Sequence, residues 1–397
     1  MLRRHRELSG FSLRRLGAMT QFGFTFLSQV ERGERRATEN LAQRCDEALR
    51  AGGALIDAYR NEISSGEDMK RRTILRAMGP LAASPLPLVQ WEALRQGVTA
   101  SLDLDTDQWD QAVADYGIAY YRVPASQMMD NLRADITVLQ ALIPDTLGTA
   151  KGQLLRTVAR LSVIVALNMV AAGQTLTAAR WWRDSQNYAR ASGDADTVVL
   201  TRAWDVVNGC YDGRHPASVV ALADDVLPLI EGRASASACG LLAGRAQALS
   251  LLGRHSEAVT TVRRLADVTA QLPHGVTEEV DSLWGWPEHR LRHTEAWVYA
   301  HAGDLSAAVQ AQERAVVLYP TSLTRLRTQV QLHHAAALIR NGHVPDGLRL
   351  AADLLEQLPP EQHNELLRTV ARQVIDAVPH KERRRPMFRE VTDRVAT

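Results

Sequence analysis

The residues with the clearest recognition chemistry lie close together near the N-terminus. Gln29 carries an amide that can bond adenine N6 and N7, while Thr25 and Phe24 can contact a thymine methyl group. Ser28 offers a hydroxyl to a base or a phosphate. Nearby arginines suit phosphate contacts, namely Arg14, Arg32, Arg35 and Arg36. The alternatives are that Phe24 is an apolar cap on a turn and that the arginines are ordinary surface charge.

The helical spacing of apolar residues explains how these side chains are positioned. The segment Ser12–Gly33 predicts two short amphipathic helices joined by a tight turn. The residues of its buried stripe are Leu13 and Leu16 in the first helix and Phe26, Leu27 and Val30 in the second. Ser12 suits the N-cap of the first helix, and Gly33 can end the second because glycine accepts the left-handed conformation.

The run from Leu2 to Tyr59 resembles the DNA-binding domain of the Xre (phage-repressor-like) transcription regulators in its actinobacterial form. Leu2–Leu8 matches the first helix of that family, FLSQVERG at Phe26–Gly33 its recognition helix, and Arg35–Leu49 its fourth helix. The resemblance covers about 60 of the 397 residues. It implies that the recognition helix enters the major groove of double-stranded operator DNA. Useful specificity normally needs two half-sites, so it also implies a homodimer.

Three residues depart from the pattern of this family. Gln21 stands where the turn usually has glycine, so we expect a left-handed and strained conformation there. Gly23 stands where a serine usually caps the recognition helix, which gives a weaker cap. Leu13 replaces a polar residue that often opens the second helix, which removes one expected phosphate or base contact.

Charge is distributed unevenly, although the net charge of the chain is only +1. Residues 1–60 hold eleven arginines and seven acids, whereas residues 77–397 have a net charge of about −4. A basic N-terminal part on an acidic body favours a nucleic-acid contact confined to that part. Aromatic residues make up only 5% of the chain, and the dominance of Ala, Leu, Arg and Val favours helices over strands.

The sequence lacks the common catalytic and metal-binding signatures. It contains no phosphate-binding glycine loop, no H-E-x-x-H, no nucleophile elbow and no C-x-x-C pair. The cysteines Cys45, Cys210 and Cys239 lie far apart, as is typical of buried thiols in a reducing cytoplasm. His289 and His293 are spaced to share one helical face and could bind zinc, but they have no obvious third ligand nearby. We therefore expect no enzymatic activity, no cofactor and no metal.

A second resemblance concerns the remainder of the chain, where a glycine recurs between apolar helices. The intervals are 40, 40, 50 and 39 residues between Gly173, Gly213, Gly253, Gly303 and Gly342. This pattern resembles the tetratricopeptide repeat, whose helix pairs stack into an α-solenoid. We predict an all-α fold. A five-helix helix-turn-helix domain spans 1–60, a linker with a basic helix and a Pro-rich hinge spans 61–90, and a tetratricopeptide-like α-solenoid for ligand sensing and dimerisation spans 91–397.

The 50-residue interval contains an insertion that is rich in aromatic and basic residues. If the repeat alignment holds, four residues face the concave side, as the first helix of this repeat family does: Arg290, His293, Trp297 and His301. Such a surface suits a peptide or an anionic small molecule as an effector. The alternative is that the tryptophans fill the core between repeats.

Two segments bear on location. Lys70–Arg72 and the apolar residues after it resemble a twin-arginine export signal, but they lie far behind the start of the chain, so we assign them to the linker. No apolar run reaches the ~18–20 residues that cross a membrane. We expect a cytoplasmic, nucleoid-associated transcription regulator with a dimerising, signal-sensing repeat domain. The alternatives are a repeat scaffold that acts mainly through protein–protein contacts, with DNA binding secondary, and an exported protein that starts at Met69.

Overall fold

The computed structural model describes residues 1–33, 35, 37–60, 106–359 and 362–396. Of these residues, 78% are helical and none lies in a strand, which confirms the all-α prediction. The chain divides into two compact units, Met1–Asp103 and Leu104–Thr397. The predicted linker over 61–90, with its Lys70–Arg72 segment, lies outside the described residues, so it stays a prediction.

The described part of the first unit is made of five helices. They are α1 (Leu2–Leu8), α2 (Leu13–Thr20), α3 (Phe24–Glu31), α4 (Glu39–Leu49) and α5 (residues 54–60). Their apolar faces form one core, in which Leu16 and Leu27 are completely inaccessible to solvent. Leu13, Phe26 and Val30 pack at its margin. The apolar stripe predicted for the two short helices is therefore present.

Local signals set the ends of these helices. The Ser12 hydroxyl accepts the backbone N–H of Arg15 at 3.2 Å and opens α2, as predicted. The Thr38 hydroxyl accepts the N–H of Leu41 at 3.2 Å and opens α4 in the same way. Each bond satisfies a backbone donor that has no partner inside the helix. Gly33, with φ 73°, follows α3 in the predicted left-handed conformation.

The turn between α2 and α3 is tight and locally strained. Gln21 has φ 60° and ψ 23°, which confirms the left-handed conformation predicted for it. Arg44 of α4 donates to the Thr20 carbonyl at 3.2 Å and to the Gln21 side-chain oxygen at 3.0 Å, so it stabilises the turn from outside. The turn also lies against Gly17, where a Cβ atom would approach the Phe22 carbonyl oxygen to 2.8 Å. Gly23 opens α3 without a side-chain cap, as expected.

The second unit has fifteen α-helices within residues 106–396. They are α6 (Thr106–Ala119), α7 (Ala125–Leu142), α8 (Gly148–Ala171), α9 (Thr175–Ser192), α10 (Ala195–Gly209), α11 (Pro216–Val226), α12 (Ala236–Leu251), α13 (His255–Thr269), α14 (His274–Glu278), α15 (Glu288–Ala302), α16 (Leu305–Leu318), α17 (Thr324–Arg340), α18 (Val344–Gln357), α19 (Glu365–Ala377) and α20 (Pro386–Ala396).

The five repeat glycines each lie in a turn between two packed helices, with φ between 73° and 90°. The pairs are α8 with α9, α10 with α11, α12 with α13, α15 with α16 and α17 with α18. The first helices of successive pairs also pack against each other: α8 with α10, α10 with α12, α12 with α15 and α15 with α17. The predicted helix pairs are therefore present, whereas their membership of the tetratricopeptide class stays a prediction.

One described helix, α8, is long and apolar enough to cross a membrane by length and composition. It has 24 residues, and 67% of its most apolar window is buried inside the structure. Leu154, Leu161 and Ile164, for example, are completely inaccessible to solvent. A helix that is apolar on all sides and covered by its neighbours is typical of the core of a large helical domain.

Candidate nucleic-acid interface and ligand cavity

The α3 helix exposes the predicted base-reading face and buries the opposite one. Phe24 is 51% exposed and Thr25 is also exposed, whereas Leu27 is fully buried. Ser28 and Gln29 are half-buried and lie at the edge of the exposed face. The helix therefore presents hydroxyl, amide and aromatic groups while its aliphatic stripe anchors it to the core.

Three of the four predicted phosphate contacts are exposed: Arg14, Arg32 and Arg35. The guanidinium of Arg35 lies 4.8 Å from the Phe26 ring centre, and Arg32 Nε donates to the Ser28 carbonyl at 3.3 Å. Among the described residues of the first unit, no carboxylate forms an ion pair with Arg14 or Arg35. Their charge is therefore available to an external anion. Arg36 lies outside the described residues.

A buried ion pair fixes α3 relative to α1. Arg6 Nε and Nη2 bond the two carboxylate oxygens of Glu31 at 2.6 and 2.8 Å, with 12% and 5% of the two side chains exposed. Arg6 Nη1 also donates to the Phe11 carbonyl at 2.9 Å. The bond to Glu31 raises the pKa of Arg6. The pair was not predicted, because no spacing rule links residues 25 positions apart.

The second unit contains a cavity of about 170 Å³ that is partly open to solvent. Helices α8, α10, α12, α15 and α17 all line it, and each is the first helix of its pair. α19 adds Leu366 and the residue before the helix, Asn364. The cavity is therefore the place where the stacked pairs converge.

Aromatic side chains form much of the cavity wall. They are Tyr120, Tyr121, Trp204, Tyr211, Trp284, Trp286 and Tyr319. No Asp or Glu belongs to the described residues that line it, whereas Arg290 and Arg325 both do. An aromatic cavity with cationic groups and without acids favours an apolar ligand with a negative charge.

Arg290 holds one wall of the cavity together. Its Nη1 donates to the carbonyls of Leu283 at 3.1 Å and Gly285 at 2.6 Å. Its Nη2 donates to the Tyr121 hydroxyl at 3.1 Å and the Ser282 carbonyl at 2.9 Å. All four acceptors are neutral, so the positive charge has no counterion among the described residues.

Arg325 is the second cation of the wall. It is half-buried near Tyr120, and across the described chain neither a carboxylate nor a hydrogen-bond acceptor pairs with it. Burial raises the pKa of the Tyr120 phenol to about 12, and the positive charge of Arg325 opposes that rise. Arg325 therefore brings a full guanidinium to the cavity.

Three polar atoms on the cavity wall are buried without a hydrogen-bond partner in the described structure: His293 Nε2, Asn208 Oδ1 and Gln247 Oε1. Each of these side chains uses its other polar atom. His293 Nδ1 lies 3.1 Å from the Tyr319 hydroxyl, and the Asn208 amide nitrogen donates to the Trp204 carbonyl at 3.0 Å. Native interiors rarely leave such atoms unsatisfied, so they point to a bound molecule or water.

A segment that we call the insert, residues 281–287, closes another side of the cavity. It docks on α6, where Trp284 Nε1 donates to the Val113 carbonyl at 2.7 Å. The backbone N–H of Leu283 donates to the Gly117 carbonyl at 2.9 Å. Gly117 is required for this fit, because a Cβ atom there would lie 2.3 Å from the Trp284 ring.

The four residues predicted to line a ligand groove are divided by the structure. Arg290 and His293 line the cavity. Trp297 is only 1% exposed and packs in the core beside Tyr211, with ring centres 5.7 Å apart. His301 stacks on Trp297 at 4.8 Å. Trp297 therefore packs in the core between helices, in agreement with the alternative interpretation that the tryptophans fill the core.

The histidine pair considered for zinc is engaged otherwise. The His289 ring lies 4.1 Å from the Tyr319 ring, and His293 bonds the hydroxyl of the same tyrosine. Burial lowers the pKa of His289 to about 3 and that of His293 to about 4. Within the described ranges, no three His, Cys, Asp or Glu side chains are grouped as metal ligands.

Several cavity residues escaped sequence reasoning, namely Tyr121, Trp204, Asn208, Gln247 and Arg325. They come from separate helices and share no local spacing, so only the tertiary structure brings them together. Comparison of the chain with protein-family models, curated proteins and solved structures found no match. The family resemblances therefore rest on the residues themselves.

Proposed function

We propose that this protein is a cytoplasmic transcription regulator that binds double-stranded operator DNA through α3 and senses a peptide or small molecule through its second unit. The observation that carries the proposal is the face of α3, where Thr25 and Gln29 are accessible next to the exposed arginines Arg14 and Arg35. Arg14 and Arg35 have no carboxylate partner among the described residues. Phosphate oxygens would supply the missing counter-charge.

The order of the elements supports this reading. In helix-turn-helix proteins the second helix of the motif enters the major groove, led by its N-terminal residues. Here Phe24 and Thr25 are the first two residues of α3, and Gln29 lies on the same helix further in. The buried Arg6–Glu31 pair holds the far end of α3, so its exposed face is rigidly presented. Because one such domain covers a single half-site, we propose a homodimer.

The test begins with selection of bound sequences from a random DNA pool by the full-length protein. Anisotropy titrations then compare the selected site with an unrelated duplex at ~100–150 mM salt. Gln29→Ala is expected to weaken binding to the selected site roughly tenfold to hundredfold and to leave binding to the unrelated duplex unchanged, because it removes a base contact.

Arg35→Ala is expected to weaken binding to both duplexes and to reduce the salt slope by about 1, because it removes a phosphate contact. Arg349→Ala, at an exposed position on α18, is the matched control and should change neither. If Gln29→Ala and Arg32→Ala both leave specific binding intact, α3 is not the reading helix. Failure to enrich any sequence, together with no binding at low salt, would overturn the proposed function and favour a protein scaffold.

A further inference from the structure

We propose that the cavity of the second unit binds a small, mainly aromatic anion that carries a hydrogen-bond donor about 6–10 Å from its negative group. The proposal rests on the proposed function in treating this molecule as an effector, and it gives that effector a chemical class. Binding itself does not depend on DNA and can be measured without it.

The anionic end is assigned by the two cavity arginines. The four hydrogen bonds of Arg290 go to neutral oxygens and use only its Nη1 and Nη2 groups, while Arg325 makes no hydrogen bond or ion pair with the described residues. A guanidinium in an apolar wall is poorly solvated, so an opposite charge on the ligand is strongly favoured. A carboxylate can accept a forked pair of bonds from Arg325 and lie in the field of Arg290.

The donor end is assigned by two amide oxygens. Asn208 and Gln247 are 3% and 4% exposed, and their side-chain oxygens have no partner within the described structure. Their amide nitrogens are engaged by the Trp204 carbonyl and, at 3.5 Å, by the Tyr211 hydroxyl. An amide oxygen only accepts, so the group that satisfies it must be an N–H or an O–H.

Helix α10 gives the distance between the two ends. The Arg290 guanidinium lies 5.6 Å from the Trp204 ring centre, which places Trp204 at the anionic end. Asn208 follows Trp204 by one helical turn, and Tyr211, beside Gln247, follows it by nearly two. At about 1.5 Å of rise per residue, the two ends are therefore about 6–10 Å apart. Aromatic rings fill the wall between them, so the middle of the ligand must be flat and apolar.

The size of the cavity favours a small molecule over a peptide as the ligand. A volume of about 170 Å³ admits one small molecule, whereas a peptide would have to place only one residue inside and leave the remainder outside. A carboxylate and a phenol also occur together in a C-terminal tyrosine, so the peptide is a separate arm of the test.

The experiment uses the full-length protein and isothermal titration calorimetry. The probe is 6-hydroxy-2-naphthoate, which has a carboxylate and a hydroxyl at opposite ends of a naphthalene. We expect one saturable site per chain. The amide 6-hydroxy-2-naphthamide and the ether 6-methoxy-2-naphthoate should each bind roughly tenfold to hundredfold more weakly, because each removes the partner of one end. The tripeptide Gly-Gly-Tyr should bind more weakly than the naphthoate.

Two variants assign the ends to residues. Arg325→Gln should weaken the naphthoate and leave the naphthamide unchanged, and it disturbs no hydrogen bond of the described structure. Asn208→Leu should weaken the hydroxy probe and leave the methoxy probe unchanged. Arg349→Gln, outside the cavity, is the control.

Equal binding of acid and amide, or no saturable binding by any aromatic acid, would overturn the proposal. Tighter binding of the tripeptide would replace the small molecule with a peptide. No DNA is present in this test. A protein that binds no operator could therefore still bind the naphthoate, and a protein that binds its operator could still fail to bind the naphthoate.

Discussion

Gln21 lies in the turn between α2 and α3, where its Cβ atom strains the backbone while its side chain hydrogen-bonds to α4. Its φ of 60° places it in the left-handed region, which costs a residue with a Cβ roughly 1–2 kcal/mol. Its side-chain oxygen accepts a bond from Arg44 at 3.0 Å. A second bond, from Arg44 to the Thr20 carbonyl, does not depend on the side chain of residue 21. The strain and the hydrogen bond can therefore be separated by substitution.

We predict that Gln21→Gly stabilises the first unit by about 1 kcal/mol, because glycine adopts this conformation without a Cβ clash. Gln21→Ala should destabilise it slightly, because it keeps the clash and loses the bond from Arg44. Hydrogen exchange of the α2 and α3 amides in the full-length protein measures both effects, and about 1 kcal/mol corresponds to roughly fivefold slower exchange. An order of stability with alanine above glycine would contradict this account of the turn.

At the scale of elements, the insert and α6 depend on one glycine. The Trp284 indole lies where a side chain of residue 117 would be, with its ring atoms 2.3 and 2.4 Å from an ideal Cβ position. Its bond to the Val113 carbonyl joins residues 171 positions apart in the sequence. Overpacking at such a contact typically costs 1–3 kcal/mol.

We therefore predict that Gly117→Ala lowers the free energy of unfolding of the second unit by about 1–3 kcal/mol and displaces the insert. Gly275→Ala is the matched control, because Gly275 is also helical but has nothing within 4 Å of its Cβ position. That control should be neutral or slightly stabilising. Urea unfolding gives the free energies, and the change in tryptophan fluorescence reports Trp284. An unchanged Gly117→Ala protein would show that the insert is not held at this position.

Some elements of this fold can be predicted from the sequence, whereas the cavity cannot. The α2–turn–α3 arrangement follows from signals within about twenty residues: the Ser12 cap, the apolar spacing and Gly33. The helix pairs follow from a glycine that recurs at a regular interval, since each left-handed turn is local. The cavity wall has no such local code. Trp204 and Arg325 line the same cavity only because successive helix pairs stack, so their common role becomes visible in three dimensions.

At the scale of the whole second unit, stability is linked to pH through histidines that are buried away from carboxylates. Burial lowers the pKa of His289 to about 3 and holds that of His333 well below its ordinary value of 6.5. His333 has aromatic neighbours, since the Trp297 ring lies 4.4 Å away and the His293 ring 5.4 Å away, and the positive charge of Arg340 adds to the lowering of its pKa. Protonation of either histidine would place a charge in an apolar interior, which the fold resists.

The sign of the pH effect follows from the lowered values. Below about pH 6.5 these histidines are protonated in the unfolded chain but stay neutral in the folded chain, so acid favours unfolding. The stabilisation is complete above pH 6.5 and is lost progressively as the pH falls toward about 3, the folded-state pKa of His289. Each such histidine contributes a slope of up to about 1.4 kcal/mol per pH unit in that window. Carboxylates with lowered pKa, such as Glu288, begin to contribute only as the pH falls toward their ordinary value of 4.5, so the range above about pH 5 reports mainly the histidines.

We predict that His289→Phe makes the free energy of unfolding less dependent on pH between 6.5 and 4.5, because phenylalanine keeps the ring contact with Tyr319 and cannot titrate. Urea unfolding at half-unit pH intervals measures the slope. Ile164→Val is the control, since it opens a small gap in the apolar core around α8, where the buried cluster contains no histidine, and its curve should run parallel to that of the wild-type protein. If the His289→Phe curve is also parallel, the acid sensitivity arises elsewhere and His289 is protonated alike in both states.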